Sequence, residues 1–209
     1  MKTAKNLSKF KNIRHGFCDK NDSKEVKKTL LLTQIHSFEI LNPELIEKPY
    51  DQPEGDGWVT DKKGYCLTVK SADCAPVLMT DGNIIAAIHA GWKGALTGVL
   101  EQAILKMLQL GSHIENICVA IGPCLQKQSF IVQPDMQSLF SKNMDVFFSQ
   151  TNGQTHFDFS GYVRYRLNSA GINNICTVNI DTFTDKNYNS YRREPENPAR
   201  QYSFIAKIG

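Results

Sequence analysis

The pattern of apolar and polar positions along this chain predicts mainly short buried strands. Apolar runs at residues 65–69, 76–80, 83–89, 117–121, 175–180 and 202–208 have the length that is typical of such strands. A similar run at residues 29–35 predicts a strand that ends at His36. Asp81-Gly82 separates two of the runs and predicts a two-residue hairpin turn, because glycine tolerates the positive φ that a tight turn requires.

Two helices and one long loop complete the predicted elements. Apolar residues recur every three or four positions over residues 92–110, which indicates an amphipathic helix, and Gly111 predicts its end. A second helix is predicted over residues 160–170, with Asp158 as its N-cap. Residues 42–63 are rich in proline and glycine and predict a surface loop.

Composition bounds the class of protein. The 209 residues, of which 41% are hydrophobic and 22% charged, predict a single α/β or α+β domain over residues 1–209, with a central mixed sheet flanked by helices. The net charge of +3 is not gathered into runs, so we expect neither nucleic acid nor a membrane surface as partner. The first residues lack the apolar segment of a signal peptide, which predicts a cytoplasmic protein with reduced cysteines.

Potential metal ligands occur at the ends of predicted strands. Cys74 precedes one strand of the hairpin and His89 closes the other, so the two residues should lie together at one edge of the sheet. Thiolate and imidazole both bind zinc, and a set of three protein ligands, with His36 as the third, would leave one position open for water. Each residue alone is more often a buried structural residue, so the grouping carries the prediction.

The surroundings of His89 favour a functional site. Gly91 and Gly94 flank Trp92-Lys93 at a junction between a strand and a helix. Glycines there let a ligand approach the backbone, and the positive charge of Lys93 would attract an anion such as phosphate.

Several motifs together resemble those of one family. They are RHGF at 14–17, TQIH at 33–36, SADCAPVL at 71–78, HAGWKG at 89–94, AIGPC at 120–124, YRRE at 191–194 and ARQ at 199–201. In this order they closely resemble the laccase-domain family, called multicopper polyphenol oxidase-like in older usage and purine nucleoside phosphorylase more recently. The resemblance covers nearly the whole chain.

The resemblance implies one zinc ion per chain, bound by His36, Cys74 and His89. It also implies phosphorolysis of adenosine, inosine, guanosine and methylthioadenosine, deamination of adenosine, and a fold related to bacterial toxin deamidases. The expected partners are a nucleoside and phosphate, and the expected state is a monomer or a weak homodimer. A zinc ion can activate water for attack on the purine C6, or stabilise charge on the departing purine.

Other residues in these motifs are candidates for substrate binding or catalysis. Phosphate needs cationic partners, for which we select Lys93, Arg192, Arg193 and Arg200. Asp73 is a candidate acid or base, or an orienting partner of a ligand histidine, but could equally cap a turn. Cys124 either lines the pocket or is a packing residue.

The chain departs from the family pattern in three places. After Phe17 it has Cys18-Asp19-Lys20-Asn21-Asp22 in place of a segment with arginine and glycines that we expect to contact substrate. Ala199 replaces a glycine, and Lys93 replaces an arginine, which keeps the charge but loses the bidentate donor.

Three alternatives to a zinc nucleoside phosphorylase remain open. Cys74 activated by His89 could be the nucleophile of a metal-free amide hydrolase, for example one that edits cell-wall precursor peptides. The altered segment after Phe17 allows a metal-stabilised binding protein with vestigial activity. Copper-dependent phenol oxidation is disfavoured, because no axial methionine motif or second copper cluster accompanies the three ligands.

Overall fold

The computed structural model describes residues 1–22 and 29–208 of the chain. Its helices are α1 (Lys5–Ser8), α2 (Trp92–Thr97), α3 (Val99–Gln109), α4 (Pro134–Ser138) and α5 (Phe159–Ser169). Its strands are β1 (Ile13–Phe17), β2 (Ile40–Leu41), β3 (Gly57–Thr60), β4 (Cys66–Ser71), β5 (Ala75–Thr80), β6 (Ile85–Ala90), β7 (Cys118–Ile121), β8 (Ile131–Val132), β9 (Phe148–Thr151), β10 (Gln154–Phe157), β11 (Asn174–Thr177) and β12 (Gln201–Lys207). Short 3-10 helices span residues 43–45, 49–51, 114–116 and 142–147. Within the described ranges, no helix has the length and apolar character needed to cross a membrane.

A six-stranded mixed sheet forms the centre of the molecule, in the order β11-β7-β5-β6-β3-β2. The outer pairs β11–β7 and β2–β3 are parallel, and the inner strands are antiparallel. Alternate residues of β5 and β6 pack on opposite sides: Val77 and Ile88 join the core under α3 and α5, whereas Leu78 and Ala87 face the antiparallel sheet β1-β12-β4. A strand buried on both faces has no polar side, which explains the continuous apolar runs in the sequence. The predicted mixed α/β fold is therefore confirmed.

The predicted helix over residues 92–110 is wrong in one respect. It is two helices, α2 and α3, separated by Gly98, whose φ of 107° lies outside the helical region. The predicted end at Gly111, with φ of 99°, is confirmed. The helix predicted over residues 160–170 is confirmed as α5, and the Asp158 side chain accepts a hydrogen bond from the Gly161 amide at 2.9 Å.

Two predictions of strand and loop are wrong. Residues 29–35 are not a strand and make only isolated bridges, Leu30 with Leu67 and Thr33 with Glu54, although Leu30 and Leu32 are fully buried. Their apolar side chains pack in the core, but the backbone does not form the continuous hydrogen bonds of a β-strand. The predicted loop over residues 42–63 contains the buried strand β3, because Trp58 and Val59 provide the apolar, β-favouring side chains that a central position requires.

The predicted hairpin is confirmed, but its turn is longer than two residues. Thr80 pairs with Ile85, so four residues connect β5 and β6. The Asp81 side chain accepts hydrogen bonds from the amides of Asn83 and Ile84, both at 2.8 Å. This side-chain cap stabilises the wider turn and keeps the register that positions the far ends of the two strands.

Candidate metal centre

The β5–β6 ladder positions two of the three predicted ligands. Ala75 pairs with Ala90 and Pro76 with His89, so Cys74, directly before β5, lies beside the end of β6. His89 is 3% exposed, whereas Cys74 is half-buried and faces a cleft. The local register thus accounts for their proximity, as the sequence pattern predicted.

His36 reaches the same place from a distant part of the chain. Its backbone φ is 58°, a conformation that is uncommon for residues other than glycine. Its ring lies against Gly91, where a Cβ atom would come within 2.8 Å of the imidazole Cδ2. A Cβ atom on Gly94 would likewise come within 2.7 Å of the Ser37 carbonyl. The two glycines of HAGWKG therefore make room for the segment that carries His36.

The three side chains form a compact group of metal-binding atoms. Their nearest ligand atoms all lie within 4.8 Å of one another, and Cys74 Sγ is 3.9 Å from His36 Nε2. The imidazole rings of His36 and His89 meet edge to face, with centroids 4.9 Å apart. One sulfur and two nitrogen donors at this spacing fit a tetrahedral zinc site with one open position. The residues present therefore fit the metal.

A buried carboxylate that the sequence reasoning missed holds both histidines. Asp56 is fully buried, and its Oδ1 lies 2.8 Å from His89 Nδ1. The same carboxylate accepts hydrogen bonds from the His36 amide at 3.1 Å and from the Ser37 amide at 2.6 Å. The bond to Nδ1 orients the His89 ring and leaves Nε2 as its ligand atom. The sequence did contain a signal for this residue. Asp56 directly precedes the apolar, β-favouring run Gly57–Thr60.

The charges of the group favour the thiolate form of Cys74. Burial alone would raise the pKa of the Cys74 thiol, but the positive charge of His89 and the hydrogen bond with His36 lower it overall. Burial alone would lower the pKa of His89, but the Cys74 thiolate and the Asp56 carboxylate raise it overall. Burial opposes ionisation of Asp56, yet its hydrogen bonds with His89 and Ser37 lower its pKa. A thiolate is the form in which cysteine binds a metal.

The metal-binding group lies in a large cleft. The cleft has a volume of about 1230 Å³ and is lined by all three candidate ligands. Its aromatic lining residues are Trp92, Phe130, Phe159, Tyr191 and Tyr202. Its basic lining residues are Lys70, Lys93, Arg192 and Arg200. The cleft therefore offers flat apolar surfaces and positive charge next to the candidate metal site.

The structure separates the predicted substrate-binding residues into two groups. Lys93, Arg192 and Arg200 line the cleft. Arg193 is not among the lining residues, and its guanidinium donates to the carbonyls of Thr182, Phe183 and Tyr188. Cys124 is fully buried outside the lining, and burial raises the pKa of its thiol to about 12. Arg193 and Cys124 therefore occupy structural positions.

Asp73 connects the metal-binding group to the opposite wall of the cleft. Its Oδ1 accepts a hydrogen bond from the Thr182 hydroxyl at 2.6 Å, and its Oδ2 accepts one from the Arg192 amide at 2.7 Å. The carboxylate that orients a ligand histidine is thus Asp56 and not Asp73. Asp73 has a φ of 86°, and its Oδ2 fixes the backbone of the segment that carries Arg192.

The altered segment after Phe17, as far as residue 22, does not line the cleft but is hydrogen-bonded to a residue that does. Cys18 donates its amide to the Tyr202 carbonyl at 2.9 Å, and Lys20 donates its amide to the Asn187 carbonyl at 3.0 Å. Residues 18–22 are not among those that line the cleft. The preceding RHGF motif is structural, since the Phe17 ring packs directly against Gly122.

Comparisons with known proteins agree with the motifs. Curated relatives include a purine nucleoside phosphorylase of Rickettsia prowazekii, 37% identical over 78% of this chain and 70% of the relative. Another, from Rickettsia conorii, is 34% identical over 88% of this chain and 85% of the relative. A third, from Escherichia coli, is 30% identical over 85% of this chain and 73% of the relative.

Solved structures show the same fold. A Neisseria meningitidis protein of the DUF152 family matches with a TM-score of 0.79 and 28% identity, over 87% of this chain and 75% of that one. A Bacillus licheniformis protein matches with a TM-score of 0.78 and 24% identity, over 90% of this chain and 79% of that one. The family model described as multi-copper polyphenol oxidoreductase laccase matches residues 8–207. The chain therefore belongs to this laccase-like family, whose curated relatives are named purine nucleoside phosphorylases.

Proposed function

We propose that this protein is a zinc-dependent purine nucleoside phosphorylase that also deaminates adenosine. The observation that carries the proposal is the grouping of His36, Cys74 and His89 within 4.8 Å at the wall of a cationic, aromatic cleft. The names of the relatives supply the substrate class. Adenosine, inosine, guanosine and methylthioadenosine are the proposed substrates.

Zinc is proposed in preference to copper on the chemistry of the site. Two histidines and one cysteine suit either ion, but copper sites of this type add a weak axial ligand, usually methionine. None of the lining residues within positions 1–22 and 29–208 is a methionine. In the parts of the chain that the structure describes, the three residues form one metal-binding group without a second cluster beside it. When bound, zinc would supply a Lewis acid and an activated water.

The chain's own residues account for binding and orientation. The aromatic side chains of the cleft offer faces on which a purine can stack. Lys93, two residues after Gly91, and Arg192, whose amide is hydrogen-bonded to Asp73, bring positive charge to the cleft that holds the candidate ligands. A phosphate held there would attack the ribose C1′, forming a carbon–oxygen bond as the bond to the purine nitrogen breaks. The products are ribose 1-phosphate and a purine that has gained a proton.

The decisive experiment combines metal analysis with two assays. Purified protein should contain about one zinc per chain, release base from inosine only when phosphate is present, and convert adenosine to inosine without phosphate. Cys74→Ala should abolish metal binding and both activities. Cys176→Ala, a half-buried cysteine outside the cleft, is the matched control and should change neither. Zinc-loaded protein that turns over none of the nucleosides would disprove the proposal.

A second candidate function is a metal-free cysteine hydrolase. The 3.9 Å contact of Cys74 Sγ with His36 Nε2 favours it, because a thiolate beside an imidazole is also a nucleophile. Chelation separates the two candidates. A phosphorylase that depends on zinc loses its activity when the metal is removed, whereas a cysteine hydrolase keeps its activity and becomes sensitive to alkylation of Cys74.

A further inference from the structure

The cleft carries more positive charge than one reacting phosphate requires. Among the described residues that line it, four are basic and one, Asp73, is acidic. Both oxygens of Asp73 already accept hydrogen bonds from Thr182 and from the Arg192 amide. Lys93 belongs to the same motif as His89, and the Arg192 amide is hydrogen-bonded to Asp73, the neighbour of Cys74. Lys70 and Arg200 remain to be explained.

Lys70 is held rigidly at the end of β4. The Gln34 side chain accepts a hydrogen bond from the Lys70 amide at 2.8 Å and donates one to the Lys70 carbonyl at 2.7 Å. The residue is half-buried, and its ammonium group makes no ion pair or hydrogen bond with residues 1–22 or 29–208. A partly desolvated lysine without a counter-ion favours the binding of an anion.

Arg200 lines the same cleft as Lys70. It directly precedes β12, whose Tyr202 pairs with Lys70 of β4. Its Nη1 donates to the Ala199 carbonyl at 2.8 Å and to the Asn197 carbonyl at 3.2 Å. The guanidinium lies over the Tyr191 ring, with Cζ 5.9 Å from the ring centroid. Among the described residues its Nε and Nη2 have no hydrogen-bond partner, which leaves two donors for an oxyanion.

Neither of these two lining residues has an acidic partner within the described part of the chain. Lys70 and Arg200 are here called the β4–β12 anion pocket.

We propose that the β4–β12 anion pocket binds the phosphate monoester of a purine nucleoside 5′-monophosphate, so that the cleft accepts nucleotides as well as nucleosides. This inference rests on the proposed function for the position of the purine. A cleft of about 1230 Å³ exceeds the roughly 300–1,000 Å³ that is usual for small-molecule sites, and so has room for the additional group. The second pair of cations matches the charge of the monoester.

Inosine and inosine 5′-monophosphate test the inference without turnover. In the absence of inorganic phosphate, inosine can be neither phosphorolysed nor deaminated, so isothermal titration of the zinc-loaded protein measures binding alone. The nucleotide should bind about tenfold more tightly than inosine, the size expected from one charge-assisted hydrogen bond. Lys70→Met should remove this advantage and leave the affinity for inosine nearly unchanged, whereas Lys70→Arg should retain most of it.

The controls separate this inference from the proposed function. Lys62→Met, which removes an exposed lysine outside the cleft, should alter neither affinity. The inference is overturned if the nucleotide binds no more tightly than inosine, or if Lys70→Met weakens both ligands equally. It is also overturned if Lys70→Met raises the KM for inorganic phosphate alone, since the pocket would then hold the reacting phosphate. If inosine binds and is phosphorolysed in any of these cases, the proposed function still stands. If neither inosine nor the nucleotide binds, the proposed function and the further inference are both contradicted.

Discussion

Asp56 connects the two histidines of the candidate metal centre through one carboxylate. Replacing it by asparagine keeps the shape of the side chain but removes the charge that orients His89. It also removes one of the two oxygens that accept hydrogen bonds from the amides of His36 and Ser37. We expect Asp56→Asn to lower zinc affinity by roughly 10- to 100-fold, the usual effect of losing such a partner. Competition with a chromophoric chelator measures this directly.

The matched control for Asp56→Asn is a second buried aspartate. Asp181 is 7% exposed and accepts hydrogen bonds from Ser129 and Gln128, away from the candidate ligands. Asp181→Asn should therefore leave zinc affinity unchanged even if it lowers stability. Equal loss of affinity in both variants would show that Asp56 acts only through general stability.

His15 makes the stability of the fold dependent on pH. Burial lowers its pKa, and its Nε2 accepts a hydrogen bond from the Ala4 amide at 2.9 Å, so the folded state favours the neutral ring. The unfolded state therefore binds more protons below its pKa of about 6.5, and the free energy of unfolding should fall as pH decreases through that value. Urea unfolding between pH 7.5 and 5 checks this. His15→Gln should show a shallower decrease than the wild type, and parallel curves for the two proteins would contradict the assignment.

At the scale of elements, the two glycines of the β6–α2 junction decide whether His36 can reach Cys74. A Cβ atom at position 91 would come within 2.8 Å of the His36 ring and 3.4 Å of the Cys74 sulfur. We expect Gly91→Ala to displace His36 and weaken zinc binding by at least about tenfold, with a fold that remains intact by circular dichroism. Gly64→Ala is an informative contrast, because a Cβ atom there meets nothing within 4 Å. Because Gly64 has a positive φ of 88°, Gly64→Ala should lower the free energy of unfolding but leave zinc affinity unchanged.

The sequence predicts contacts within one hairpin better than contacts between distant segments. The approach of Cys74 to His89 was predictable, because one hairpin register determines it. His36 was predicted to join them from the TQIH motif, although residues 29–35 form no strand. Asp56 was not predicted, since its role depends on contacts between segments far apart in the chain. Arg192 and Arg193 are adjacent and identical in chemistry, yet only Arg192 lines the cleft. That difference arises from the backbone direction of the segment that Asp73 fixes.

At the scale of the whole molecule, the candidate metal centre joins three segments that are separated in sequence. His36, Cys74 and His89 come from three segments, so a metal bound by all three should stabilise the folded state against the unfolded chain. Free zinc at about 100 times its Kd should add about 2.7 kcal/mol to the free energy of unfolding. For a domain of this size that corresponds to a rise in Tm of roughly 5–11 °C.

Thermal unfolding of metal-free protein, titrated with zinc, measures this coupling independently of any enzymatic activity. The Tm should rise with the logarithm of free zinc once the site is saturated, and a chelator should reverse the rise. Cys74→Ser should remove the dependence, because the hydroxyl is a much poorer zinc ligand than the thiolate. Cys176→Ala should retain it, since this cysteine lies on β11 outside the cleft. A Tm that is indifferent to zinc in the wild-type protein would show that the three side chains do not act together as a metal site, and the proposed chemistry would lose its basis.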